Sequence, residues 1–246
     1  MAEPRTGDHL PSDADGFAAL RRDVALANRI AHRVGLVTAF GHVSARLPDG
    51  QTFLFPPRAS PALANPDRLL VLDLDGNIVS GQGTPNTEFW IHARIYAARP
   101  DVGAVAHVHP TACIALGQLG QTVRPLHNSA AVFADGVPVF ERPGLIRSRE
   151  LGDEVADELG GSRAMLLRGH GANAADADVR RVTVLACFLE EAAELQLRAL
   201  ATAGGDPRRV RFYTEDECFL LREQIDNPGP MDRAWEYYAA LAEGRI

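Results

Sequence analysis

Two histidines one residue apart, His107 and His109, sit in the run Ala106-His107-Val108-His109-Pro110. In an extended strand alternate side chains share a face, so both imidazoles project together while Val108 turns into the core. Two imidazoles from one strand can hold one divalent metal and leave room for a third ligand and an open position. The apolar run from Val102 to Ala106 leads into the pair and Pro110 stops it. That places the pair at the C-terminal end of a strand, where open α/β sheets bind their ligands. Glu88 stands just before this strand, early in a helix expected to begin at Thr84-Pro85, and His170 lies in an Arg168-Gly169-His170-Gly171 turn. His92 follows Glu88 by four residues on the same helix face and reads as structural rather than as a further ligand.

The elements that must position these groups are legible in outline. Residues 17–34 carry apolar residues at helical spacing, closed by Gly35. Strands are expected over 38–46 and 52–55, joined by Pro48-Asp49-Gly50, and over 68–74 and 78–80, joined by Asp75-Gly76-Asn77. Thr84 is the expected N-cap of a helix to residue 98, with Pro85 in its first turn. Later come a short helix from 111, strands at 136–140 and 163–168, a helix opened by Ser148, a long apolar helix over 179–202 and two C-terminal helices. Alternating strands and helices with early hairpins imply an α/β fold, a three-layer α/β/α domain with a central mixed, largely antiparallel sheet. Residues 1–16 read as a disordered lead-in and residues 17–246 as a single domain.

Composition narrows the function classes. The chain has 246 residues, 46% apolar and 23% charged, with a net charge of −7. That balance suits an enzyme with a sizeable core and argues against a nucleic-acid surface. Cys113, Cys187 and Cys218 are odd in number and far apart, which fits a reducing cytoplasm and no disulfide framework. No apolar stretch approaches the ~18–20 residues that span a bilayer.

Together, Gly41-His42-Val43-Ser44-Ala45-Arg46, Thr84-Pro85-Asn86-Thr87-Glu88, the His107–His109 strand and Arg168-Gly169-His170-Gly171 resemble the class II aldolase/adducin family. The resemblance implies a homotetramer with active sites at subunit contacts. It implies one divalent metal ion per subunit (Zn, Mn, Fe or Co) on His107, His109 and His170, and Glu88 as the acid/base. A Lewis-acid centre of that kind binds a carbonyl and hydroxyl pair and stabilises the enolate formed when a carbon–carbon bond breaks.

Two departures select among the family's reactions. Sugar-phosphate aldolases carry a Gly-Asn loop that cradles phosphate, and here Gly41 is followed by His42. Their serine pair before the glutamate is Asn86-Thr87, and Lys and Arg are sparse in both segments. Asn128 falls where those enzymes place a tyrosine proton donor. Both departures favour decarboxylation of a hydroxylated aromatic or heteroaromatic carboxylic acid. Aldol cleavage, iron-dependent oxygenation and a non-enzymatic adducin-like role are the alternatives. Gly41, His42, Asn86, Thr87, Asn128 and Arg58 are the expected substrate-binding residues, with His42 or Arg58 pairing a second carboxylate. Phe40, Phe53, Phe55, Phe133 and Trp90 could wall a flat ring.

Overall fold

The structure is a computed structural model describing residues 14–246. Residues 1–13 of the expected lead-in lie outside the described residues, and the rest of it, from Ala14, is already helical. Helix α1 (Ala14–Arg33) leads into β1 (His42–Arg46), β2 (Thr52–Phe55), β3 (Leu70–Asp73) and β4 (Ile78–Ser80). Helix α2 (Phe89–Ala98), β5 (Ala104–Val108) and α3 (Thr111–Gln118) follow. Then come β6 (Val139–Phe140), α4 (Arg149–Leu159), β7 (Ala164–Leu167) and β8 (Gly171–Asp176). Three helices close the chain: α5 (Val179–Thr202), α6 (Glu215–Ile225) and α7 (Pro228–Ala242).

Among the described residues one eight-stranded sheet runs in the order β4-β3-β2-β1-β5-β8-β7-β6. Its pairings are antiparallel except β6 with β7. Strand alternation divides the apolar residues between the two faces. Val43, Ala45, Leu54, Ala106 and Val108 pack on one side with α1, α3, α5 and α7. Phe53, Phe55, Leu72, Val105 and Met165 pack on the other with α2 and α4. Each fully buried large side chain contributes roughly 1.5–3 kcal/mol. These two cores make the three layers expected from the sequence.

Buried polar groups pin the layers together. Asn28 of α1 donates to the Val43 carbonyl at 3.0 Å, and the Val43 N–H donates to Asn28 Oδ1 at 2.9 Å. Glu190 of α5 accepts from the N–H groups of Ala112 and Cys113 and so closes the start of α3. Helix α5 packs most of its apolar side chains against α1, α3, α7 and the sheet, while Leu195 is exposed at 40%. Most of its apolarity is therefore satisfied within one subunit.

Two elements depart from the sequence reading. Helix α2 begins at Phe89, with Glu88 in the N-cap position, not at Pro85. Pro85 forms an extended bridge with Pro57, and Asn86 turns the chain by accepting from the Glu88 N–H at 3.0 Å. Where the sequence predicts only a turn at 168–171, strand β8 follows directly. Its Ala- and Gly-rich residues are intrinsically poor strand formers, but it is flanked on both sides by β5 and β7.

Candidate active site

The site lies at the C-terminal end of β5, where the β7–β8 turn and the start of α2 converge. His107 is fully buried and stands opposite His42 on β1 and Asn173 on β8. Its Nδ1 donates to Asn173 Oδ1 at 2.8 Å. An amide oxygen only accepts, so the proton is on Nδ1 and Nε2 keeps its lone pair. The His109 ring donates to the Phe40 carbonyl, and its Nε2 stands 3.1 Å from His107 Nε2. His170 is the last residue of the turn between β7 and β8, and both of its ring nitrogens are buried without a hydrogen-bond partner. One ring nitrogen from each of the three lies within 4.8 Å of the others.

Two facing ring nitrogens and a third without a hydrogen-bond partner, all on largely buried rings, suit a cation held among them. Burial and the neighbouring His109 and His170 hold His107 well below the usual imidazole range. Burial, then His170, lowers His109 to about 4. These two imidazoles are thus neutral at pH 7, the state in which they bind metal. The triad could hold a divalent ion, and its donor set fits one.

Gly171 makes this approach possible. A Cβ there would strike the Val108 carbonyl oxygen and come within 2.9 Å of the His109 ring. Gly41 is constrained in a similar way. Its φ of +114° and its contact with Val37 and the His107 carbonyl leave no space for a side chain.

Glu88 stands over the triad, 7% exposed. Its Oε1 accepts from the Ile146 N–H at 2.9 Å and lies 3.6 Å from His170 Nε2, while Oε2 is 4.0 Å from His107 Nε2. A cavity of about 760 Å³ opens above, lined by Glu88, His109 and His170. Arg58, Asn86 and Thr87 also line it, together with Phe40. Leu145 and Arg147 complete the wall from the loop before α4. These last two are not foreseen from sequence, because Gly144-Leu145-Ile146-Arg147 carries no motif and Ile146 lies 58 residues from Glu88.

Three expectations are corrected. His42 is 3% exposed and does not wall the cavity. Its Nδ1 is 2.7 Å from His92 Nε2, and His92 Nδ1 is 2.6 Å from Ser44 Oγ, which is 2.7 Å from Tyr96 Oη. This buried chain runs behind His107, and burial lowers His92 to about 3. Asn128 lies away from the cavity and accepts from Tyr213 Oη at 3.0 Å. Gly41 serves packing, as above. Of the aromatic residues, Phe53, Phe55 and Phe133 are core, and only Phe40 of the five reaches the cavity.

The fold and site define a member of a known class. Residues 22–197 match the family described as the Class II Aldolase and Adducin N-terminal domain, and the chain belongs to that family. It is 31% identical over 203 residues to a 3,4-dihydroxyphthalate decarboxylase of Arthrobacter keyseri, covering 76% of this chain and 81% of that one. It is 30% identical over 191 residues to the L-fuculose phosphate aldolase of Escherichia coli K12, covering 77% and 85%. The L-fuculose 1-phosphate aldolase from Glaciozyma antarctica PI12 superposes with a TM-score of 0.82 at 20% identity, over 98% of this chain and 94% of that one. At that identity the likeness speaks for the fold alone.

Proposed function

We propose that this chain is a metal-dependent lyase that decarboxylates a hydroxylated aromatic or heteroaromatic carboxylic acid. The observation that carries the reading is the cavity itself. One end presents Glu88, His109 and His170, with His107 buried behind them, and the flanks present Phe40 and Leu145, exposed at 68% and 45%. An apolar pair beside polar groups suits a flat ring bearing hydroxyl and carboxylate substituents. Similarity to dihydroxyphthalate decarboxylases supports the same chemistry.

His107, His109 and His170 would hold the metal, and Zn, Mn, Fe and Co all suit three imidazoles. A bound ion would supply Lewis-acid polarisation of a chelating hydroxyl and carboxylate pair. Asn173 fixes the tautomer and angle of His107. Glu88 takes the proton of the substrate hydroxyl and returns it to the ring carbon as CO₂ departs, which leaves the product as a phenolate that takes its last proton from water. The Ile146 N–H keeps this carboxylate over the triad. Phe40 and Leu145 hold the ring and exclude water from it.

A second reading, aldol cleavage of a phosphorylated sugar, is favoured by one observation: Arg58 and Arg147 line the cavity and suit a phosphate as well as a carboxylate. Metal-loaded protein offered hydroxylated benzoic and phthalic acids in parallel with fuculose 1-phosphate separates the two. CO₂ release from the aromatic acids is expected. Cleavage of the sugar phosphate without CO₂ release from any aromatic acid overturns the first reading.

The proposed assembly is a homotetramer. Phe219 and Leu220 on α6, exposed at 67% and 59%, supply apolar surface that a partner subunit would cover. Light scattering tests it, and a monomer at micromolar concentration contradicts it. The cytoplasm is the proposed compartment, consistent with three free cysteines. Among the described residues no helix is long and apolar enough to cross a membrane.

A further inference from the structure

The charges around the cavity mouth are unevenly matched. Several arginines of this region have carboxylate partners: Arg142 pairs with Glu154, Arg149 with Asp75, and Arg168 with Glu141. Arg58 and Arg147 line the cavity, and among the described residues neither guanidinium has a hydrogen bond or ion pair. The acid in the cavity wall, Glu88, is engaged by the Ile146 N–H and faces the histidines. A chain of net charge −7 thus keeps two unneutralised cations at the mouth of its metal-binding cleft.

The loop that carries Arg147 is held in place. Ile146 is buried and its N–H is the donor to Glu88, so the adjacent Leu145 and Arg147 are delivered to the cavity by the same contact. Arg58 is held by its backbone, whose N–H donates to the Thr84 carbonyl at 2.8 Å beside the Pro57–Pro85 bridge. Both backbones are anchored while both side-chain ends are unengaged beside the cavity, which leaves their forks open to an anion there.

We infer that Arg147, together with Arg58, is a carboxylate clamp that reserves the cavity for an aromatic dicarboxylate. The carboxylate that leaves lies at the triad, and the one that stays lies on the guanidinium pair. This rests on the decarboxylase reading for the identity of the anion. The guanidinium fork meets a carboxylate through two parallel N–H···O bonds, which a lysine ammonium cannot reproduce. A phosphate ester would meet the same fork, so the two anions are separated by experiment.

The test uses zinc-loaded full-length protein with R147Q and R147K, each checked for folding by circular dichroism. The Arg147 guanidinium has no fold contact to lose, so both variants fold. Calorimetry with phthalate, which has two carboxylates and no hydroxyl to react, is compared with benzoate and with inorganic phosphate. The wild type is expected to bind phthalate more tightly than benzoate. R147Q should weaken phthalate by roughly 10- to 100-fold, the worth of a charged hydrogen bond, and move benzoate far less. R147K should recover only part of the loss. An R147Q variant that keeps the full preference for phthalate overturns the clamp. Inorganic phosphate that binds more tightly than phthalate, with the difference lost in R147Q, also overturns it and assigns the arginines to a phosphate ester. A phthalate preference that depends on Arg147 in a protein that releases no CO₂ from any aromatic acid keeps the clamp and removes the decarboxylase reading.

Discussion

The backbone N–H of Ile146 donates to Glu88 Oε1 at 2.9 Å across 58 residues of chain. The carboxylate is therefore aimed by main chain rather than by a mobile side chain, and its second oxygen is left toward His107. Glu88→Gln keeps an acceptor for Ile146 but cannot shuttle a proton. The expected outcome is retained metal and a rate lower by about 10²-fold or more. Metal content and turnover measured on the same preparation decide it; a rate within a few-fold of wild type moves the role elsewhere.

Loss of one imidazole should empty the centre. His107→Ala, His109→Ala and His170→Ala are each expected to lose bound metal and activity while keeping native circular dichroism. Elemental analysis after dialysis is the measurement. A His109→Ala protein with stoichiometric metal and full turnover would falsify the assignment.

Asn173 acts one step back from the centre. Removing the acceptor that holds His107 Nδ1 frees the ring to rotate or change tautomer. Asn173→Ala should weaken metal binding by roughly 10- to 100-fold. Competition with a coloured chelator measures this directly, independent of turnover.

Acid should destabilise the metal-free protein well before the carboxylates titrate. His92 is held down to about 3 by burial, against about 6.5 when unfolded. Above about pH 6.5 the ring is neutral in both states and its contribution is level. Below that the unfolded chain binds a proton that the folded one refuses, so stability falls as pH falls. The slope approaches ~1.4 kcal/mol per pH unit for each such ring, and His42 and His107 are depressed in the same direction. Urea unfolding compared at neutral pH and about one and two units below it should show the loss; equal midpoints would mean that the rings are not held neutral.

Much of the fold is readable because its signals are local. The Pro48-Asp49-Gly50 turn lies between β1 and β2, and Ser148 accepts from the Leu151 N–H at 3.3 Å as the cap of α4. The His107 and His109 pair is legible for the same reason, since strand period sets its direction. What escapes a reading of the sequence is non-local. Thr84 and Pro85 have the side chains of a helix start, but pairing with Pro57 outweighs that preference. Strand β8 owes its extended form to two neighbours rather than to its own alanines. Arg147 enters the cavity on a loop with no pattern, and His42 turns away from it because of a partner 50 residues later. No spacing rule reaches that far.

The His42–His92 bond ties a strand residue to a helix residue inside the core. Replacing either ring alone strands a buried nitrogen on the other, at a cost of about 1–3 kcal/mol. A lineage with a small amide at the first position therefore crosses a valley to reach this arrangement, unless both positions change together. Across the family, positions 42 and 92 are expected to covary, so the pair would mark a branch of descent that neither histidine marks alone.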